Sequence, residues 1–197
     1  MVARFWILTT AFVMFEGCFC VAQAQPVDFK CAKAGTVQIR PWGTVQGTVL
    51  ATGTSPTDPY VCTSLGFEHQ PRSLLFGIYR TEGPDIASIR PAMLELFSGT
   101  KTSVSFDYTA FDQVHRHQAW TFLRRETITV AGKARDTMVF DLRTRVTRLH
   151  GGYMDLDTLF WFDPMVGIWI KRQTHFISGQ YQGILPDYED ISIVVPE

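Results

Sequence analysis

Two histidines separated by one arginine are the residues of this chain whose types and spacing best suit chemistry. On a strand, His115 and His117 would share a face, so both imidazoles could reach one metal ion. A zinc site needs at least a third protein ligand, and nothing in the spacing brings one near. The candidates for that ligand are Asp112, His150 and His175. Because the run from 111 to 117 is polar, we predict an exposed turn there and no metal site.

The chain carries none of the common enzyme signatures. It has no Gly-x-Ser-x-Gly elbow, no His-Glu-x-x-His pair and no glycine loop that would hold a phosphate. Asp155, Asp157 and Asp163 are spaced like a carboxylate cluster, but a turn accounts for Asp163. We therefore expect a protein that is not an enzyme, with no catalytic residue and no cofactor.

Four arginines on a predicted long hairpin could form an anion-binding face. These residues are Arg125, Arg135, Arg143 and Arg145. Such a stripe would bind anionic lipid headgroups or glycans. The alternative is a solvated face with cross-strand pairs to the acidic neighbours Asp136, Asp141 and Glu126.

Aromatic residues make up 13% of the chain and concentrate near a second predicted hairpin. Core filling is the ordinary explanation. A curled sheet with an open end would instead leave an apolar pocket for a lipid-like ligand. The residues of that possible pocket are Trp120, Phe160, Trp161, Phe162 and Trp169.

The segment from 158 to 172 predicts this second hairpin. Pro164 sets φ for a type I turn, Asp163 can accept hydrogen bonds from the following backbone, and Gly167 can take the positive φ that closes the loop. The run from 159 to 162 offers apolar side chains to both faces, so we expect its strand to be covered on both sides.

Alternating apolar and polar residues predict further strands joined by short turns. We place them at 36–40, 44–50, 60–63, 73–79, 101–108, 119–130, 135–149 and 191–195. The last strand can pair only if a sheet leaves an edge open. Residues 51–59 are rich in loop formers. Near Leu123 the alternation breaks, and we expect a β-bulge that turns Arg124 and Glu126 outward.

Only residues 85–97 place apolar side chains at helical spacing. Pro91 interrupts this run because it lacks a backbone donor and crowds the preceding turn, so we expect one or two short helices. With many strands and little helix, the predicted fold is mainly β, an antiparallel sheet curled into a roll or barrel.

Residues 1–24 have the basic start, apolar stretch and small-x-small site of a cleaved signal peptide. The alternative is lipid modification at Cys18 or Cys20. Cleavage after residue 24 would leave residues 25–197 as a single β-rich domain without a transmembrane segment.

Two cysteines, Cys31 and Cys62, then remain. An even pair in an exported chain predicts one disulfide, and the alternative is two free buried thiols. The chain has no Asn, and its basic residues are mostly Arg, which fits a GC-rich bacterial gene and favours the periplasm of a Gram-negative bacterium. The net charge of −1 gives no electrostatic case for binding nucleic acid.

Three stretches carry a resemblance to other proteins. They are residues 126–133 with the strand that follows, residues 159–172, and residues 96–99 before 104–108. Together they resemble a broad group of uncharacterised exported bacterial proteins, in which a threonine/valine strand, a glycine turn and a Trp-aromatic-x-Pro-x-x-Gly hairpin recur. The resemblance implies a β-rich, roll-like periplasmic domain with no assigned activity, and it carries over no catalytic residue.

The function expected from these features is non-enzymatic. We expect a periplasmic protein that binds an apolar or envelope-derived ligand, or that serves envelope assembly. The alternative is a structural or protein-interaction module that uses a sheet edge and holds no small ligand. The sequence names no particular protein partner.

Overall fold

The computed structural model describes seven stretches of the chain. They are residues 26–42, 45–66, 69–82, 85–110, 114–148, 151–180 and 187–197. The predicted signal peptide, its cleavage site, Cys18 and Cys20 lie outside these residues. So do Asp112 and His150, two of the candidate metal ligands.

The first of two antiparallel sheets, the N-terminal sheet, has six strands. In spatial order they are β12 (Ser192–Val194), β1 (Val37–Trp42), β2 (Val45–Ser55), β3 (Asp58–Leu65), β4 (Pro71–Leu75) and β5 (Tyr79–Arg80).

The second sheet, the hairpin sheet, also has six strands and is built from successive hairpins. In spatial order they are β11 (Tyr188–Glu189), β10 (Ile168–Gly179), β9 (Tyr153–Asp163), β8 (Lys133–Thr147), β7 (His115–Val130) and β6 (Ser103–Thr109). The predicted hairpins at 119–149 and 158–172 are both present.

The predicted mainly β, antiparallel fold with a short helix is confirmed, and the structure refines the single curled sheet of that prediction. The strands divide into two sheets that do not close into a barrel. The division falls between β5 and β6, where helix α1 (Ile86–Phe97) separates them along the chain and interrupts the strand ladder.

Helix α1 runs without a break through Pro91. Both Pro91 and Ala87 are exposed, so water can reach the Ala87 carbonyl group that loses its helical donor at the proline. The opposite side of α1 carries Ile89, Met93 and Phe97, which are buried against the strands.

The expected bulge at Leu123 is confirmed. Phe122 pairs with Phe140 and Arg124 with Val139, so the register shifts by one residue between them. The shift leaves Leu123 exposed and points Arg124 toward solvent, where its Nε lies 2.8 Å from a carboxylate oxygen of Glu126.

Two predictions for the N-terminal half are wrong. The expected loop at 51–59 is mostly strand, because a register shift beside Gly53, whose φ is 115°, keeps the polar stretch paired. The expected strand at 73–79, with Leu74, Phe76 and Ile78 inward, ends at Leu75. There Phe76 and Gly77 take φ values of 51° and 70° and turn the chain.

The C-terminal segment joins the two sheets at one edge. Strand β11 pairs with β10, and β12 pairs with β1, so the predicted last strand finds the open edge it needs. Between them the Asp190 N–H donates to the Ile170 carbonyl oxygen at 2.9 Å, and the Ile191 N–H donates to the Ile39 carbonyl oxygen at 2.8 Å.

The main core contains side chains from both sheets and α1, and the strands of the 158–172 hairpin contribute to it. Phe162 and Trp169 belong to this core, whereas Trp161 packs into a second apolar cluster. The expected burial of both faces of β9 is therefore confirmed. The predicted disulfide is also present, with Cys31 and Cys62 at a Cα–Cα distance of 5.2 Å.

Candidate functional site

A cavity of about 680 Å³ lies between the inner faces of the two sheets, the faces that they turn toward each other. This volume is within the range of small-molecule sites. Its apolar lining includes Leu142, Leu156 and Phe160 of the hairpin sheet, Val49 and Leu74 of the N-terminal sheet, and Ile89 of α1.

The cavity is elongated along the strands of the hairpin sheet. Phe160 and Arg116 both line it, and their cross-strand partners on β8 are Phe140 and Val146. Those partners are six residues apart, so the two lining residues are separated by about 20 Å along the strand direction. Such a shape fits an extended molecule.

A chain of buried hydrogen bonds forms the middle of one wall. The Trp120 indole Nε1 donates to the Tyr79 hydroxyl at 2.7 Å, and that hydroxyl donates to the Gln118 side-chain oxygen at 2.6 Å. The Gln118 amide nitrogen in turn donates to the Thr144 hydroxyl at 3.2 Å. Burial raises the pKa of Tyr79 well above its usual value, which keeps the hydroxyl protonated as a donor.

The end of the cavity near Phe160, the inner end, holds two arginines around one tyrosine. The guanidinium carbon of Arg40 lies 3.8 Å from the centre of the Tyr188 ring, and that of Arg172 lies 4.9 Å from it. Arg40 Nε also pairs with buried Asp190 at 2.8 Å. Burial raises the pKa of Asp190, while Arg40 and Gln38 oppose this effect.

The opposite end of the cavity, the mouth, lies where β8 ends. Arg116 is half-buried there, with its guanidinium carbon 5.9 Å from the centre of the Tyr108 ring, and Arg148 is exposed just beyond β8. Asp85 also lines this end, and its carboxylate accepts the Thr109 N–H at 2.9 Å. The mouth therefore combines cationic groups with aromatic and apolar surface.

The five aromatic residues predicted to line a pocket take different positions. Phe160 and Trp169 line the cavity. Trp120 and Phe162 are fully buried core residues. Trp161 packs on the other side of β9, where its indole Nε1 donates to Glu126 at 2.5 Å. The assignment of these residues to ligand binding stays a prediction.

The four arginines predicted as an anion face do not gather on one open surface. Arg135 is half-buried beside Asp163, with Nη1 2.8 Å from the carboxylate. The other three are exposed. Arg143 Nε lies 3.7 Å from Asp141, Arg145 Nε lies 2.8 Å from Asp155, and Arg125 stands opposite Met138 on β8.

The histidine pair lies on strand β7. The exposed turn expected at 111–117 is therefore wrong for residues 115–117, and residues 111–113 lie outside the described part of the chain. Pairing with β6 and β8 on both sides makes this segment a strand. His115 Nε2 and His117 Nδ1 lie 3.4 and 3.0 Å from the Asp107 carboxylate on the outer face. Within the described stretches, no three His, Cys, Asp or Glu side chains are placed to hold a metal ion.

The sequence analysis missed the cavity arginines. Arg116 stands between the two histidines and therefore points to the opposite face, which the period-two rule indicates once the segment is known to be a strand. Arg40 and Arg172 come together only through the pairing of β11 with β10 and β12 with β1, for which the sequence carries no local signal.

No helix in the described part of the chain combines the length and apolar character needed to cross a bilayer.

No protein-family model matches the chain, and no curated protein sequence matches it. The structure is similar to the crystal structure of the hypothetical lipoprotein YmcC from Escherichia coli (K12). The TM-score is 0.51 at 11% identity, over 86% of this chain and 92% of that one. This likeness concerns the fold and agrees with the expected resemblance to uncharacterised bacterial proteins. That these bacterial proteins share a Trp-aromatic-x-Pro-x-x-Gly hairpin stays a prediction.

Proposed function

We propose that this chain is a non-enzymatic protein of the bacterial envelope that holds a ligand with an apolar body in the cavity between its sheets. The observation that carries the proposal is a cavity of about 680 Å³ whose walls include Leu142, Leu156 and Phe160. Apolar side chains around an empty space lose dispersion contacts. A cavity of this size in an otherwise aromatic-rich core therefore favours an occupant.

The titratable groups around the cavity support binding rather than catalysis. Asp85 is the carboxylate among its described lining residues, and its oxygen already accepts the Thr109 N–H. Tyr79 is engaged with Trp120 and Gln118. General acid–base catalysis needs two groups that can both reach one substrate. Asp85 and Tyr79 instead form hydrogen bonds with other groups of the protein.

The envelope location rests on the N-terminal sequence and the disulfide. A cleavable leader and a Cys31–Cys62 bridge fit an oxidising compartment outside the cytoplasm. The structural neighbour is itself described as a lipoprotein. We place the mature chain in the periplasm of a Gram-negative bacterium.

Binding of an uncharged lipophilic dye, N-phenyl-1-naphthylamine, tests the proposal. Leu156 lies in the cavity wall, so Leu156→Trp should fill the space and weaken dye binding by about tenfold or more, a change of about 1.4 kcal/mol. Ile177→Trp is the matched control, because Ile177 is 55% exposed and does not line the cavity.

Two results would overturn the proposal. One is no dye binding by the folded wild-type chain. The other is unchanged binding by Leu156→Trp with a native circular dichroism spectrum. If that variant does not fold, Val146→Trp provides the same test, since Val146 is only partly buried and lines the cavity nearer the mouth.

A protein-interaction role is the second candidate, favoured by the edge of the N-terminal sheet. Strand β12 is a three-residue edge strand; Val194 at its end is 58% exposed, and Ile191 just before it is 48% exposed. An edge with exposed apolar residues can accept a further strand. A photo-crosslinker at position 194 should give one discrete protein adduct in the periplasm if this role holds, and its absence would contradict the role.

A further inference from the structure

We infer that the ligand of the cavity is an acyl lipid, bound through its carbonyl oxygen to Gln118 and Thr144 and with its hydrocarbon chain directed toward Phe160. This inference rests on the proposed function and adds the chemical class and the orientation of the ligand.

Unused donor hydrogens in the cavity wall are the first support. Trp120, Tyr79 and Thr144 each carry one side-chain donor hydrogen, and Gln118 carries two. The three bonds of the buried chain use three of these five hydrogens. The second N–H of Gln118 and the O–H of Thr144 remain, and neither has an acceptor among the described residues.

The place of these two donors is the second support. Gln118 on β7 stands directly opposite Thr144 on β8, and both residues line the cavity. Both are also more than nine-tenths buried. A buried donor that lacks an acceptor is unfavourable, so this point of the wall favours a ligand that brings an acceptor.

The pairing of two donors at one place favours a carbonyl group. A carbonyl oxygen has two lone pairs and no hydrogen of its own, so one such atom can accept from both Gln118 and Thr144. A ligand hydroxyl or amine would instead bring further donor hydrogens into a wall that already has two to spare.

The surface on the inner side of these donors favours a hydrocarbon chain. Leu142 and Phe160 line the cavity there. Thr144 is four residues from Phe140, the β8 partner of Phe160, and this separation spans about 13 Å along the strand. Toward the mouth, Val146 lies only two residues away, or about 7 Å. The longer apolar arm of the ligand therefore fits toward Phe160.

Two uncharged ligands with matched chains test the inference. Methyl laurate and dodecyl methyl ether differ only in the carbonyl group that replaces one methylene, and both can be assayed by displacement of N-phenyl-1-naphthylamine. We expect methyl laurate to bind about tenfold more tightly than the ether. The ether is the more apolar of the two, so burial of apolar surface alone would give the reverse order.

Thr144→Val removes one donor and keeps a side chain of similar size. It should reduce the preference for methyl laurate to about threefold or less and retain the affinity for the ether. Thr144→Ser keeps the hydroxyl group and should keep the preference. Thr174→Val is the matched control with an unchanged preference, because Thr174 is a buried threonine of β10 that does not line the cavity.

Infrared spectroscopy detects the contact directly. Methyl laurate labelled with carbon-13 at its carbonyl group should absorb at lower frequency in the wild type than in Thr144→Val, since hydrogen bonds to the oxygen weaken the C=O bond.

Fluorescence quenching tests the orientation. The indole rings of Trp120 and Trp169 lie with their centres 5.3 and 5.4 Å from that of the Phe160 ring. Methyl 12-bromolaurate, with bromine at the chain end, should therefore quench tryptophan fluorescence more strongly than methyl 2-bromolaurate. The reverse order would overturn the inference.

The outcomes separate this inference from the function beneath it. Methyl laurate that binds no more tightly than the ether, an unchanged preference in Thr144→Val, or the same carbonyl frequency in both proteins overturns the inference and leaves the ligand-binding function standing. Binding of the dye without binding of either lipid also overturns the inference alone. Failure of both lipids and of the dye overturns both.

Discussion

The indole Nε1 of Trp169 donates a hydrogen bond of 2.9 Å to the backbone carbonyl oxygen of Phe76. Trp169 lies on β10 of the hairpin sheet, and Phe76 lies in the turn that ends β4 of the N-terminal sheet. This bond fixes the distance between the two sheets beside the cavity. The same indole packs against Phe162 and Phe97, with ring centres 4.9 and 6.2 Å away.

Replacing Trp169 by Phe should therefore destabilise the fold. The change leaves a buried carbonyl group without its donor and removes part of the aromatic packing, which together should lower the free energy of unfolding by about 2–4 kcal/mol. Urea unfolding followed by circular dichroism measures the difference. Trp161→Phe is the control, because its Glu126 partner is 27% exposed and can be solvated when the bond is lost. Equal losses in the two variants would contradict this account.

Removing the disulfide should also destabilise the chain. Cys31 and Cys62 are 31 residues apart in sequence, and opening a loop of this length should lower the free energy of unfolding by about 2–4 kcal/mol. The double variant Cys31→Ala/Cys62→Ala should melt at a lower temperature than the oxidised wild type and should be insensitive to reductant. Free thiols detected by alkylation in non-reduced, exported protein would be inconsistent with the bridge.

Replacing the proline inside α1 should stabilise the chain rather than destabilise it. Pro91 is exposed, and Pro91→Ala restores the backbone donor for the Ala87 carbonyl group without changing the buried face. Proline in a helix interior is unfavourable by up to about 3 kcal/mol relative to Ala. We expect a gain of about 1–3 kcal/mol, which raises the melting temperature by several degrees. Calorimetry measures the shift, and a lower melting temperature would show that the helix needs the proline.

A carboxylate pair on the outer face should make stability depend on pH. Burial, helped by a hydrogen bond to Asp157 and by the charge of Asp157, raises the pKa of Asp141 from 3.8 to about 6, although Arg143 opposes the shift. Because the folded chain holds this proton more tightly, the stabilisation from protonated Asp141 is complete below pH 3.8 and is lost as the pH rises through about 6.

Asp141→Asn removes that ionisation. We expect the variant to match the wild type near pH 4 and to exceed it above about pH 7 by about 1 kcal/mol, a value discounted for the partial exposure of the group. Asp155→Asn is the control with the opposite sign. A hydrogen bond from Arg145 lowers the pKa of Asp155 below its usual 3.8, so this variant should lose stability at neutral pH, and its deficit should shrink as the pH falls below 3.8. Parallel pH profiles for both variants would refute the assignment.

Local chemistry explains which features could be predicted from the sequence. The turn at 163–167 follows from Asp163, Pro164 and Gly167, and in the structure Asp163 accepts the backbone N–H groups of Met165 and Val166. The broken alternation near Leu123 likewise predicted the β-bulge, and the even number of cysteines predicted the disulfide.

Long-range pairing explains which features could not be predicted. The division into two sheets depends on the placement of α1 between β5 and β6 and on the pairing of β12 with β1 across most of the chain. The cavity forms only when those pairings bring two inner faces together. The aromatic cluster illustrates the limit, since Phe160 and Trp161 are adjacent in sequence but lie on opposite faces of β9.

Native mass spectrometry of the exported chain, purified without detergent, tests the central claim most directly. We expect the wild-type protein to carry one adduct that denaturation releases as a small molecule with an apolar body, and to take up one molecule of the fatty-acid anion laurate after it is stripped. Leu156→Trp should carry neither. A wild-type mass equal to that of the polypeptide alone, both as purified and after incubation with laurate, would contradict the claim that the space between the sheets is a ligand site.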